Sequence, residues 1–228
     1  MTATPTKRYE HFDQPTSNAE PVIAGVGKKS QMTIKGRVTK WVRLAKMPNE
    51  QEQDYQQRLE HDMDKLRKYR SHLLFAKSMD TAGGRVVAIA SEQRYIGYSW
   101  MPVLGEQPIS FKFSKAIVIW LNSTLGRIAF RRVSGRKISF PQLSPINFNA
   151  VPFVDIRNAE VVNVLCDCFE DTCDELVPQF RDGRVPIRET WDDAVSQALG
   201  IERELIARCA DMLARDAFVS KEAFYDQM

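Results

Sequence analysis

Seven cations and no carboxylate lie between Gln107 and Val154: Lys112, Lys115, Arg127, Arg131, Arg132, Arg136 and Lys137. Cations at this density neutralise phosphates and release counterions, which is the chemistry of holding a polyanion such as DNA. Arg127, Arg131, Arg132, Arg136 and Lys137 are the candidate phosphate contacts, with Lys115 one helical stretch upstream. Phosphate contacts position a protein but do not by themselves read sequence. Asn122, Ser123, Gln142 and Asn147 carry groups that can serve base edges. Their other use, tying up local backbone, is the commoner one for Asn and Ser near turns and helix ends. The stretch also fits a core helix followed by a solvated basic loop.

Other chemistry is sparse. Cys166, Cys168, Cys173 and Cys209 make no CxxC pair, and the chain holds 3 His. A zinc site is therefore not expected, and the thiols read as reduced and mostly buried, as in a cytoplasmic protein. The segment Ile23 to Ser30 approaches a phosphate-binding loop but has Ile23 and Lys28 where that motif needs glycines. No HExxH and no serine between two glycines at a nucleophile elbow occurs. Neither Asn-Pro-Pro nor Asp-Pro-Pro, the motif of amino-methylases, is present. Glu92-Gln93-Arg94 has the acid of a nuclease-type pair but Arg in place of Lys. His72 on a strand reads as a packed residue. Asp192-Asp193 near a helix start reads as structural, because acids there favour the helix dipole. No catalytic residue, metal or cofactor is assigned, and whether the chain is an enzyme stays open.

The elements that position these residues follow from periodicity. Residues 1–30 are polar, with three prolines, and are expected to be a flexible or extended lead-in. Met32 to Leu44 alternates as a strand, and Gln51 to Tyr69 is a charged helix with a stripe of Tyr55, Leu59, Met63 and Leu66. Ser71 to Ala76, Arg85 to Ser91 and Tyr95 to Val103 read as strands. Ser114 is the expected N-cap of a helix whose run Ala116 to Leu121 is too apolar for a surface. Ile138 to Phe140 reads as a short strand before turns at Pro141, Pro145 and Pro152. The tail is helical. Val162, Leu165, Phe169 and Cys173 mark one buried face, Pro186 opens a second helix that Gly200 closes, and Leu205, Ile206, Cys209 and Leu213 mark a third.

Charge divides the chain. Residues 1–154 hold 24 Lys/Arg and 12 Asp/Glu, whereas residues 155–228 hold 8 and 17. Either the halves have different partners or they attract one another. No apolar run reaches the roughly 18–20 residues of a membrane span, and the N-terminus has no apolar core of a secretory signal.

The run Ile119-Trp120-Leu121-Asn122-Ser123-Thr124-Leu125-Gly126 resembles a segment of large N6-adenine DNA methyltransferase-like proteins from restriction and phage-defence systems. Phe140 to Leu143 and Val151 to Asp155 are similar to the Pro-containing segments that follow it there. Trp191 to Val195 and Leu199 to Ile201 resemble the helical ending of the same proteins. The resemblance covers about residues 70 to 218 and falls on the region C-terminal to the methylase domain, which contributes to target recognition. The methylase domain itself has no counterpart in this sequence. The resemblance therefore implies a detached recognition-type module, a gene fragment or one subunit of a split system.

The fold class expected is α+β: a strand-rich basic domain over 31–154 with a buried central helix, then an acidic helical subdomain over 155–228. The function expected is DNA binding as the recognition part of a methylation or restriction system, in the cytoplasm and without a membrane. The alternative is a protein-interaction module that docks on a separate methyltransferase or nuclease subunit.

Overall fold

The computed structural model describes residues 8–23, 32–77, 84–97, 100–104, 107–133 and 148–216. It is an α+β fold. Six strands form one curled mixed sheet: β1 (Tyr9–Phe12), β2 (Glu20–Ile23), β3 (Lys40–Leu44), β4 (Ser71–Ala76), β5 (Ala88–Gly97) and β6 (Trp100–Pro102). Their spatial order is β1-β3-β2-β5-β4-β6. The β2–β5 pair is parallel and the other pairs are antiparallel. The helices are α1 (Glu52–Arg67), α2 (Phe111–Asn122), α3 (Thr124–Val133), α4 (Ala159–Thr172), α5 (Pro186–Leu199) and α6 (Arg203–Ala214).

Helix α2 is the hub. Every residue from Ala116 to Asn122 is buried, because α2 packs on β4 and β5 on one side and on α4 and α5 on the other. A helix apolar all round needs such double cover. Its N-cap is Ser110, whose hydroxyl accepts from the Phe113 N–H at 3.3 Å, not Ser114. Ser114 lies one turn inside and donates to the Ser110 carbonyl at 2.9 Å, so the helix starts earlier than the apolar run implies.

The tail follows the expected pattern. Asn158 caps α4 by accepting from the Glu160 and Val161 N–H groups. Pro186 stands at the first position of α5, and Gly200 closes it at φ 64°, the left-handed C-cap that glycine fits without strain. Trp191 is fully buried and donates its indole N–H to the Thr172 hydroxyl at 2.9 Å, joining α5 to α4.

Several expectations need correction. Tyr9–Phe12 and Glu20–Ile23, inside the expected lead-in, are strands, since antiparallel pairing with β3 uses backbone groups and needs no side-chain periodicity. Of the expected strand over 32–44, only Lys40–Leu44 pairs as a regular strand. The segment before it forms only an isolated bridge to Ala90, whose carbonyl accepts from Gly36 N–H at 2.7 Å and whose N–H donates to the Ile34 carbonyl at 3.0 Å. One strand, β5, runs from Ala88 to Gly97 through the gap expected between two strands. Position 154 does not divide the core: one apolar cluster joins Leu74 and Ile89 of the sheet, Leu121 of α2, Leu165 of α4 and Trp191 of α5. The expected strand at Ile138 to Phe140 and the turns at Pro141 and Pro145 lie outside the described residues, as does most of the Ile23 to Ser30 segment.

The stripe of α1 packs Tyr55, Leu59 and Met63 on Leu44 of β3. A bidentate ion pair closes the connection between the two elements. Arg58 Nε and Nη2 each donate at 2.6 Å to Glu50, and Met47 N–H adds a third bond to that carboxylate at 2.9 Å. Arg58 holds the Glu50 carboxyl at about 2, well below its usual value near 4.5. A depressed carboxyl stabilises the fold fully above its unfolded pKa and loses that contribution as pH falls. Urea midpoints of wild type and Glu50→Gln should therefore differ most at pH 5 and converge as the pH drops from 4.5 to 2. A difference independent of pH would mean that the pair does not govern this connection.

Candidate nucleic-acid interface

The most distinctive motif in the chain, Asn122-Ser123-Thr124-Leu125-Gly126, is turned inward. Asn122 is 1% exposed. Its Oδ1 accepts from Val87 N–H at 2.6 Å, and its Nδ2 donates to the Ala88 and Val118 carbonyls, both at 2.8 Å. β4 pairs with Ala88, but Val87 N–H and the Ala88 carbonyl are taken by the Asn122 carboxamide. Ser123 is fully buried, donates to the Trp120 carbonyl at 2.7 Å and accepts from Gly126 N–H at 3.2 Å. It thus ends α2 and caps α3. Thr124 donates to Asp192 through both its N–H (2.7 Å) and its hydroxyl (2.6 Å). A Cβ on Gly126 would lie 1.9 Å from the Trp120 carbonyl oxygen, so no other residue fits the corner. Asn122 and Ser123 therefore do the local backbone work and present nothing to a base edge.

The expected cations separate. Lys115 pairs with Glu170 of α4 and sits over the Phe111 ring. Arg131 pairs with Asp216 at 2.9 Å. Arg127 lies over the Phe180 ring at 4.1 Å, half-buried between α3 and α5. Its burial and the nearby Arg188 push its pKa down to about 9. Arg132 alone of the described four stands fully exposed on α3. Arg136, Lys137, Gln142 and Asn147 lie outside the described residues. Lys115, Arg127, Arg131 and Arg132, the cations of this set among the described residues, therefore do not form one unpaired outward surface.

A different set does converge. At the C-terminal end of α1 and the start of β4, a cavity of about 440 Å³ is lined by Arg67, Lys68, Arg70, His72 and Arg94, with Ser71, Val103, Leu104, Pro108 and Ile109 closing it. No carboxylate lines it among the described residues, although Asp64 pairs with Arg67 at 2.6 Å. Glu20, 3% exposed, holds Arg67 at 2.7 Å and also pairs with Arg70, which fixes both guanidiniums. Lys68 and Arg94 are exposed and pair with no carboxylate among the described residues. His72 Nδ1 lies 2.9 Å from the Ser91 carbonyl. A carbonyl only accepts, so the proton of neutral His72 is on Nδ1 and Nε2 is the open ring nitrogen. Tyr69, between Lys68 and Arg70, is 54% exposed. An exposed aromatic between cations is the usual platform for stacking a base.

A reading centred on residues 107–154 passes over this groove, yet its signal is in the sequence. Lys65-Leu66-Arg67-Lys68-Tyr69-Arg70 places four cations in six residues. Such a run at the end of a charged helix looks like a solvated face completing the helix dipole. Only the fold adds Arg94 from β5 to it.

Among the described residues no group of three His, Cys, Asp or Glu side chains is arranged to hold a metal ion. None of the described helices is long and apolar enough to cross a membrane. Burial pushes the Cys168 thiol up to about 12, and the Cys166 and Cys173 thiols rise for the same reason. Comparison with protein-family profiles, with curated proteins and with solved structures returns no match.

Asn122→Ala should cost about 2–4 kcal/mol of stability in urea unfolding, because it strands buried donors and acceptors on β5. A loss below about 1 kcal/mol would show that the carboxamide is dispensable. At pH 8 the native protein should leave Cys168 unlabelled by a thiol reagent under conditions that label half-buried Cys209, as peptide mapping would report.

Proposed function

We propose that this chain binds DNA and serves as the recognition part of a methylation or restriction system. The observation that carries the DNA-binding part is the groove of Arg67, Lys68, Arg70 and Arg94, with no lining acid and two unpaired cations among the described residues. Its fixed members, Arg67 and Arg70, are held from beneath by Glu20, so their positions are set before a phosphate arrives. Its other members, Lys68 and Arg94, have no carboxylate partner among the described residues to give up. Tyr69 offers a stacking face beside them. The system to which the module belongs is read from the resemblance of residues 70 to 218 to the C-terminal region of N6-adenine methyltransferase-like proteins.

The test is duplex binding by fluorescence anisotropy across a salt series. Four phosphate contacts predict a log–log slope of about −3.6. Arg94→Ala and Lys68→Ala should each reduce the slope by about one, and the double variant should weaken binding roughly 10- to 100-fold at low salt. Arg132→Ala should change little. A loss concentrated in Arg132→Ala would move the interface to α3. No binding at low salt would remove the proposal and leave docking on a separate subunit as the better account.

A further inference from the structure

A second basic site lies on the opposite, helical part of the fold and shares no lining residue with the groove. It is a cavity of about 40 Å³ between α3, α5, α6 and the short 3-10 turn Phe180–Asp182, lined by Thr124, Arg127, Phe180, Arg188 and the Ala207–Ala214 face of α6. Arg188 is only 3% exposed. Its Nη1 donates to the Gly183 carbonyl at 2.9 Å and its Nη2 to the Pro178 carbonyl. Its Nε is buried with no hydrogen-bond partner. Arg127 meets it over the same ring: the guanidinium carbons lie 4.1 Å (Arg127) and 5.3 Å (Arg188) from the Phe180 centroid. Neither arginine forms an ion pair among the described residues.

The acids that line the cavity are already committed. Asp192 accepts from Thr124 N–H and hydroxyl. Asp193 pairs with Arg203 at 2.6 Å, and Glu189 with Arg184 at 3.0 Å. Arg184 also reaches Asp211 at 3.6 Å. Asp192 acts on both Arg127 and Arg188, and Asp182 also acts on Arg188, but neither carboxylate comes within ion-pair distance of them. Burial depresses both guanidiniums, Arg127 to about 9 and Arg188 to about 10. Leaving a buried donor and a desolvated cation without a partner is costly, and an anion removes both costs. Arginine is the side chain best suited to take an oxyanion through two parallel N–H donors.

We infer that this cavity binds a single phosphate group, with Arg127 as its principal contact and Arg188 supporting it from the wall. About 10–15 Å³ of such space holds one water, so the site admits a tetrahedral oxyanion and not a whole nucleotide. The phosphate can be free inorganic phosphate or the terminal phosphate of a nucleic acid strand. The rest of such a strand would stay outside the cavity.

The experiment titrates the full chain with inorganic phosphate by calorimetry and follows melting in phosphate against chloride of equal ionic strength. Wild type should give saturable heat and melt about 2–4 °C higher in phosphate. Phosphate also stabilises folds generally by exclusion from surfaces. The decisive quantity is therefore the difference from Arg127→Gln, which should lose the heat and the excess melting shift. Arg127→Lys, which keeps the charge without the planar fork, serves if the glutamine variant does not fold, and should bind at least 10-fold more weakly. No saturable heat in wild type, or equal binding in wild type and variants, would overturn the inference. Competition by a 5′-phosphorylated oligonucleotide but not by its 5′-hydroxyl form would assign the source to strand ends, and competition by neither would assign it to free phosphate. Arg94→Ala/Lys68→Ala should leave phosphate binding unchanged, which separates this site from the DNA groove.

Discussion

The Asn122 carboxamide holds the two layers of this fold together. A helix whose every residue is apolar can be buried, but burial alone does not fix its register against a sheet. Asn122 fixes it by taking the hydrogen bonds of Val87 N–H and the Ala88 carbonyl, while its Nδ2 also ties back to its own helix at Val118. The next three residues then turn the chain. Ser123 ends one helix and begins another, Thr124 joins that start to Asp192 of α5, and Gly126 leaves room for the Trp120 carbonyl. Buried polar groups are tolerable only when satisfied. Here five consecutive positions, from Asn122 to Gly126, include three polar side chains whose partners come from β5, α2 and α5. Loosening any one of them exposes the others to the same desolvation cost.

The division of charge along the chain has a structural answer. Cations from the first 154 residues reach carboxylates from the last 74 in four pairs: Lys35 and Arg37 on Asp174, Lys115 on Glu170, and Arg131 on Asp216. Most of these groups are at least partly exposed, so each pair contributes modestly to stability. Their larger effect is on the field outside. Pairing removes positive potential from the α2–α3 face, where the sequence concentrates it, and leaves it at the α1–β4 end, where Lys68 and Arg94 pair with no carboxylate among the described residues. Long-range attraction for a polyanion depends on such unpaired excess, not on the number of cations in a segment.

What was legible in the sequence follows from which interactions are local. The α1 stripe, the strand Ser71–Ala76 and the tail helices bounded by Asn158, Pro186 and Gly200 are set by periodicity and caps, which act within a turn or two. The class α+β came from those. The short strands β1 and β2 were hidden, because their partner residues in β3 lie 18 to 35 positions away and their side chains do not alternate. The domain boundary at 154 was drawn from charge, which says nothing about where an apolar core continues. Among candidate site residues, the backbone roles of Asn122 and Ser123 followed from their place at a helix end. The fates of Lys115, Arg127 and Arg131 did not, because each depends on a residue 50 or more positions away: Glu170, Phe180 and Asp216.

The inward turn of the motif also bears on what the resemblance can support. Residues that must be Asn, Ser, Thr and Gly to close a buried corner will recur wherever that corner is built, whatever the protein does. The likeness of Asn122 to Gly126 to methyltransferase-associated regions is therefore an argument about how this helix pair is joined to its sheet. Function has to be argued from a site and not from the fold that presents it. In this chain that burden falls on residues outside the motif: on Lys68, Arg70 and Arg94 beside the start of β4, and on Arg127 and Arg188 around Phe180 among the helices. Both sites consist of guanidiniums or ammonium groups whose positions are fixed by neighbours and whose charge is incompletely answered. That is the physical condition for binding phosphate.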